Sequence, residues 1–140
     1  GWVGPILFHN IDTIVRGRDL DAIGRRLSDH AGFIDTFDSD SEAYSYVIIE
    51  RGLVTRMAEK VVISRHATTG LYGFGSPSAY LAAADATTAR SGGEFYISDV
   101  YGTLLSSGMT IAATEQEAAH QTIVLGTPAE YEAYVEQHPS

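Results

Sequence analysis

Cysteine is absent from the 140 residues. That excludes disulfides, thiolate metal sites and a cysteine nucleophile. Positive charge is scarce: nine Lys and Arg stand against eighteen Asp and Glu, a formal net charge of −9. The balance argues against a nucleic-acid backbone or an anionic membrane as the main partner. It is compatible with a phosphorylated small ligand, which needs one or two local cations or a metal. No apolar run approaches membrane-spanning length, and no signal peptide is visible. The absence of cysteine does not by itself place the protein inside the cell, but it fits a cytoplasmic enzyme, and a cytoplasmic location is expected. The chain opens at Gly1 rather than Met and reads as a processed or truncated product.

Several chemical signatures are missing too. No Walker-type phosphate loop is present, and Gly73-Phe74-Gly75 lacks the third glycine of a dinucleotide fingerprint. His9, His30, His66, His120 and His138 show no metal-ligand spacing. There is no Gly-x-Ser-x-Gly nucleophile elbow.

What is present suits one domain over residues 1–140, with 44% hydrophobic residues available for a core. Pro5 to His9 reads as a buried strand, with Asn10 to Thr13 at its carboxyl end. Asp19 caps a helix carrying Leu20, Ile23 and Leu27. Phe33 to Ser41, aromatic and acidic, reads as a loop. Tyr44 to Ile49 and Leu53 to Met57 are strands about a turn at Glu50-Arg51-Gly52. Thr69 to Phe74 is a strand, and Ser76-Pro77 opens a helix. A second helix runs from Ile97 to Ser107, stopped by Gly108. Met109 to Ala113 and Thr122 to Leu125 are strands, and Thr127-Pro128-Ala129-Glu130 is a capping box opening the last helix. This alternation predicts a layered α/β domain with a largely parallel sheet.

Some residues carry a choice of roles. Asp12, just past an apolar strand, either holds Mg²⁺ against phosphate oxygens or caps a turn beside Thr13. Glu59 and Lys60 are adjacent, so on a regular strand they point to opposite faces. Both reach one ligand only if the backbone bends there; otherwise they form a solvated charge pair. Thr68, Thr69 and Gly70 either contact a sugar ring closely or form an ordinary strand entry. Ser98 or Asp99 caps the helix that follows, and Tyr96 is a candidate to stack on a ligand ring.

Five segments, in order, carry a resemblance. They are Ile6-Leu7-Phe8-His9-Asn10-Ile11-Asp12-Thr13, Ala58-Glu59-Lys60, Ala67-Thr68-Thr69-Gly70-Leu71-Tyr72-Gly73-Phe74, Gly93-Glu94-Phe95-Tyr96-Ile97-Ser98-Asp99 and Leu125-Gly126-Thr127-Pro128. Together they resemble the later part of the sugar-phosphate nucleotidyltransferases, nearest to the capsule- and surface-polysaccharide type. The resemblance runs from Ile6 to the C-terminus. It implies transfer of a nucleotidyl group from an NTP to a sugar 1-phosphate, with release of pyrophosphate. It implies a Rossmann-like three-layer α/β/α domain with a mainly parallel sheet, and Mg²⁺ as cofactor. Asp12 matches the metal-binding Asp and, with Lys60, the catalytic set. Glu59, Lys60, Thr69, Gly70 and Tyr96 match the substrate-binding set.

Two family features are missing. Nothing corresponds to the glycine-rich loop whose Arg and Lys bind the NTP phosphates. The chain is therefore expected to be a C-terminal portion, inactive or nearly so alone. Many members also have an Asp two residues before the late Gly-Thr-Pro, where this chain has Val124. The expected partners are a sugar phosphate or nucleotide sugar. A second copy or companion chain is expected to cover an exposed sheet edge; no nucleic acid or membrane partner is expected. The alternatives are a non-catalytic sugar-phosphate or nucleotide-sugar binding or regulatory domain, and an unrelated α/β interaction domain.

Overall fold

In the computed structural model the described residues are 3–10, 12–114, 121–125 and 128–138. Ile11, Gly126 and Thr127 of the segments above lie outside them, as does the start of the expected capping box. The elements run β1 Ile6–His9, β2 Thr13–Arg16, α1 Leu20–Asp29, β3 Gly32–Asp38, β4 Tyr46–Glu50, β5 Leu53–Ala58 and β6 His66–Phe74. They continue with α2 Pro77–Ser91, α3 Ile97–Ser106, β7 Ile111–Ala113, β8 Gln121–Val124 and α4 Pro128–Gln137.

A six-stranded sheet has the order β1-β6-β3-β7-β5-β4, and β2 with β8 forms a separate two-stranded ribbon. Helix α1 packs on one face through Ile23 and Leu27 against Phe33, Leu71 and Ala112. On the other face α2 and α3 bring Ala83, Val100, Tyr101 and Leu104 onto Ile34, Phe74 and Ile111. The three-layer α/β/α arrangement is as expected. The mainly parallel sheet is not: among the described pairings only β3–β7 is parallel. Hydrophobic pattern reports that a strand is buried but not which way its neighbour runs. β1 also differs from expectation. It lies at the sheet edge, with Leu7 39% and Phe8 40% exposed.

Local chemistry sets most element ends. The Asp19 carboxylate accepts from Ala22 N at 3.1 Å, and Ser76 Oγ accepts from Ala79 N at 3.1 Å ahead of Pro77. The β4–β5 turn places Arg51 (φ 55°) and Gly52 (φ 77°) in the left-handed region, as a two-residue hairpin of matching twist requires. At its turn end this hairpin meets β7 (Leu53 opposite Ala112), and at its other end it meets β6 (Tyr46 opposite Ala67).

The segment read as a loop, Phe33 to Ser41, is mostly the central strand β3. It is paired with β6 on one side and β7 on the other. Tyr101 of α3 locks this centre. Its hydroxyl lies 3.0 Å from Phe33 O and 2.8 Å from Gly73 O, and its ring stacks on Phe74 at 4.8 Å. Burial raises the phenol well above its usual range, so it stays a donor.

Candidate functional site

Strand β6 pairs with β3 along one edge. Its other edge is taken by β1 at Leu71–Phe74 and by β4 at Ala67. Between those two partners, at Thr68 and Thr69, a cleft of about 330 Å³ opens. The ribbon contributes Thr13 and Val124 to its lining, and Asp12, directly before the ribbon, lines it too. The segment before β4 contributes Tyr44 and Ser45, Glu59 follows directly on β5, and Tyr96 is the residue that precedes α3. Glu130 of α4 completes the set discussed here.

Asp12 is exposed and accepts from Thr13 Oγ1 at 3.3 Å, a long contact that leaves the carboxylate available. Glu59 is held through one oxygen, Oε2, by Ser45 Oγ at 2.6 Å and Ser98 Oγ at 3.2 Å. Its Oε1 has no partner among the described residues. Ser98 thus serves Glu59 rather than capping α3. The helix start is instead satisfied by Asp99, whose carboxylate accepts from Tyr96 N at 2.8 Å. Tyr96 itself is 63% exposed at the rim, where an aromatic face is open to stack. Tyr44 Oη donates to Glu130 Oε2 at 2.9 Å. Partial burial, and then this carboxylate, push the phenol up to about 12.

Other expected residues are arranged differently. Lys60 adopts a left-handed conformation (φ 52°), so the backbone bend that the Glu59-Lys60 pair requires is present. The Lys60 side chain is nevertheless exposed and does not line the cleft. Thr69 lines it, but its hydroxyl is engaged below, donating to Asp35 Oδ2 at 2.7 Å and accepting from Leu71 N at 3.2 Å. Gly70 (φ 95°) does not line it. A Cβ there would fall 2.6 Å from Asn10 Cγ and 2.8 Å from Asn10 Cβ. Asn10 N also donates to Gly70 O at 3.1 Å. The glycine therefore admits Asn10.

Sequence reasoning missed Asp35 and Arg18. Asp35 is fully buried in the central strand and paired with Arg18. The available signal was a lone carboxylate inside the apolar stretch Phe33-Ile34-Asp35-Thr36-Phe37. Ser45, Tyr44 and Glu130 carried no comparable signal.

The donor set tests Mg²⁺. Val124 stands opposite Thr13 in the ribbon and lines the cleft with Asp12. Where a second carboxylate would face the ion there is an isopropyl group. No group of three or more His, Asp or Glu able to hold a metal occurs among the described residues. The residues therefore do not build a two-carboxylate cage. They fit an ion that Asp12 holds together with substrate phosphates and water, a common form of Mg²⁺ binding.

A second cleft of about 460 Å³ lies behind Glu59, between α2 and α3, and includes Arg90, Asp99 and Ser106. No described helix is long and apolar enough to cross a membrane.

The chain is similar to many solved structures, among them these two. A nucleoside-diphosphate-sugar pyrophosphorylase from Vibrio cholerae RC9 aligns over 98% of this chain and 58% of its own, at 28% identity and a TM-score of 0.80. The fold is a nucleotidyltransferase fold. A Bacillus anthracis protein described as a glucose-1-phosphate thymidylyltransferase, in complex with sucrose, aligns over 96% of this chain and 54% of its own. Its identity is 18% and its TM-score 0.74, a likeness of fold alone. The chain thus spans a little over half the length of these two proteins. No protein-family model and no curated protein matches the sequence. Within the nucleotidyltransferase fold, four of the five segments that carried the resemblance reach one cleft through Asp12, Glu59, Thr69 and Tyr96.

Proposed function

We propose that this chain forms the sugar-phosphate side of a nucleotidyltransferase that joins an NTP and a sugar 1-phosphate into a nucleotide sugar, releasing pyrophosphate. The observation that carries this reading is the cleft, where Asp12, Glu59, Thr68, Thr69 and Tyr96 arrive from four separate parts of the chain. Glu59, fixed through Oε2, offers Oε1 to sugar hydroxyls. Tyr96 supplies a face for the ring. Asp12 holds phosphate indirectly: Mg²⁺, when bound, supplies the charge neutralisation that a wall whose charged residues are Asp12, Glu59 and Glu130 cannot. Lys60, a left-handed residue next to Glu59 with an exposed side chain, is the cation assigned to the phosphate, which it reaches by a side-chain rotation on binding. Positioning and neutralisation suffice for an in-line displacement at phosphorus, and no protein nucleophile is needed.

The sequence has no glycine-rich phosphate loop, so the half-site assigned to this chain is for sugar phosphate, and turnover by the chain alone is expected to be negligible. A polysaccharide-precursor role and cytoplasmic location belong to the same reading. The β1 edge, with Leu7 and Phe8 exposed, is expected to be covered by a second copy or a companion chain, and light scattering reads that directly.

The alternative is a domain that binds sugar phosphate without chemistry, which Val124 opposite Thr13 favours. A thermal-shift panel of sugar 1-phosphates and nucleotide sugars, with and without Mg²⁺, separates these readings. The enzyme reading expects a ligand-specific rise that depends on Mg²⁺ and is lost in Asp12→Ala and reduced in Lys60→Ala. A rise indifferent to Mg²⁺ and to Asp12→Ala supports the binding domain. No rise with any ligand removes both.

A further inference from the structure

Arg18 and Asp35 form an ion pair with almost no access to water, their side chains 3% and 0% exposed. Such a pair is a poor source of stability, because desolvation offsets most of the attraction. Its geometry suggests another purpose. Arg18 Nε donates to Asp35 Oδ1 at 3.1 Å, and Nη2 lies 3.1 Å from Oδ2, a side-on fork. The same guanidinium donates to Arg16 O at 2.9 Å on β2, to Thr122 Oγ1 at 2.9 Å on β8, and over 3.4 Å to Thr36 O on β3. Asp35 in turn accepts from Thr69 Oγ1 at 2.7 Å on β6 and from Thr114 Oγ1 at 2.7 Å just past β7. One buried pair thereby joins both strands of the ribbon to three strands of the main sheet.

The cleft is assembled across this join. Thr13 and Val124 belong to the ribbon and Asp12 directly precedes it, its carbonyl accepting from Leu125 N at 2.6 Å, while Thr68 and Thr69 belong to β6. The ribbon is not part of the main sheet, so no strand ladder fixes its place; Val15 packs it on the core and the Arg18–Asp35 network adds directional ties. We propose that Arg18 and Asp35 are a positioning pair that fixes the Asp12-bearing ribbon against the Thr69-bearing strand and so sets the width of the cleft. Neither residue touches the ligand. Arg18 acts through the ribbon and Asp35 through the Thr69 hydroxyl. The effect on ligand affinity rests on the function proposed above; the effect on the ribbon does not. The planar fork is essential, because a lysine ammonium keeps the charge but cannot span the same acceptors.

The test is amide hydrogen exchange with ¹H–¹⁵N spectra on the wild type, Arg18→Lys and Thr122→Ala. The second variant removes one tie and leaves the ion pair in place, so it remains informative if the first folds poorly. The expected result is local: exchange in β2 and β8 faster by about tenfold or more, and shifted resonances for Asp12, Thr13, Val124 and Thr69, with α2 and α3 as protected as before. Calorimetric titration with glucose 1-phosphate and Mg²⁺ then shows affinity about tenfold weaker in Arg18→Lys. A uniform rise in exchange across the chain, or full ribbon protection in both variants, overturns the proposal. A wild type that does not bind glucose 1-phosphate counts against the assigned substrate, while the exchange result still decides the positioning role.

Discussion

Replacing Gly70 by alanine probes the seat of Asn10, which lines the cleft, without touching a charged group. Two costs add. The backbone at φ 95° is one that L side chains adopt with strain, about 1–3 kcal/mol. The new methyl group would also lie 2.6–2.8 Å from Asn10 Cγ and Cβ, well inside van der Waals contact, for about 1–3 kcal/mol of overpacking. Reduced entropy of the unfolded chain returns about 0.4–1 kcal/mol. The net expectation is a loss of about 1–5.5 kcal/mol, or roughly 3–17 °C in melting temperature at about 3 °C per kcal/mol for a domain of this size. Urea melts of Gly70→Ala, Asn10→Gly and the double variant separate the two parts. Deleting the Asn10 side chain relieves overpacking but not backbone strain, so the cycle should show about 1–3 kcal/mol of favourable coupling. A Gly70→Ala cost below about 1 kcal/mol, or no coupling to Asn10→Gly, would refute the placement of Asn10 over Gly70 and with it this wall of the cleft.

Other perturbations read other parts of the structure. Tyr101→Phe removes the hydroxyl that reaches Phe33 O and Gly73 O and should cost about 1–3 kcal/mol in denaturant melts with an unchanged slope. Asp35→Ala leaves the Arg18 charge buried without its partner and should cost about 3–5 kcal/mol, more than Asp35→Asn, which keeps an acceptor. Tyr44 supplies a pH dependence. Its folded-state value is raised from 10.0 to about 12, so the folded form binds the proton more tightly than the unfolded form. The resulting stability is fully present below pH 10 and is lost as pH rises toward about 12. Urea midpoints measured from pH 9 upward should fall in that window. Tyr44→Phe should flatten the fall, leaving the part due to Tyr72 and Tyr101, whose values burial also raises.

The helix ends were the most legible features, because the cap lies beside the helix it ends. Asp19, Ser76-Pro77 and Gly108 each act where local reasoning puts them. Strand β3 was hidden for the opposite reason. Asp35 makes the segment look like a surface loop, and what allows its burial comes from Arg18, Thr69 and Thr114, distant in sequence. Strand direction was equally hidden, since an antiparallel neighbour and a parallel one bury the same residues. At the site, Asp12, Glu59, Thr69 and Tyr96 meet around the cleft. Lys60 and Gly70 lie outside it for reasons visible only in three dimensions: a left-handed turn leaves one exposed, and the Asn10 side chain covers the other. The partners that hold Glu59, Ser45 and Ser98, are ordinary serines in sequence and acquire a role only once β5, α3 and the segment before β4 come together.

The most direct test of the account is to map, residue by residue, where a sugar phosphate binds. A ¹H–¹⁵N titration of the chain with glucose 1-phosphate and Mg²⁺ reports this without requiring turnover. The account predicts saturable shifts at Asp12, Thr68, Thr69 and Tyr96, absent in Asp12→Ala. Shifts gathered instead around Arg90 and Ser106 in the α2–α3 cleft, or no saturable shifts at all, would contradict it.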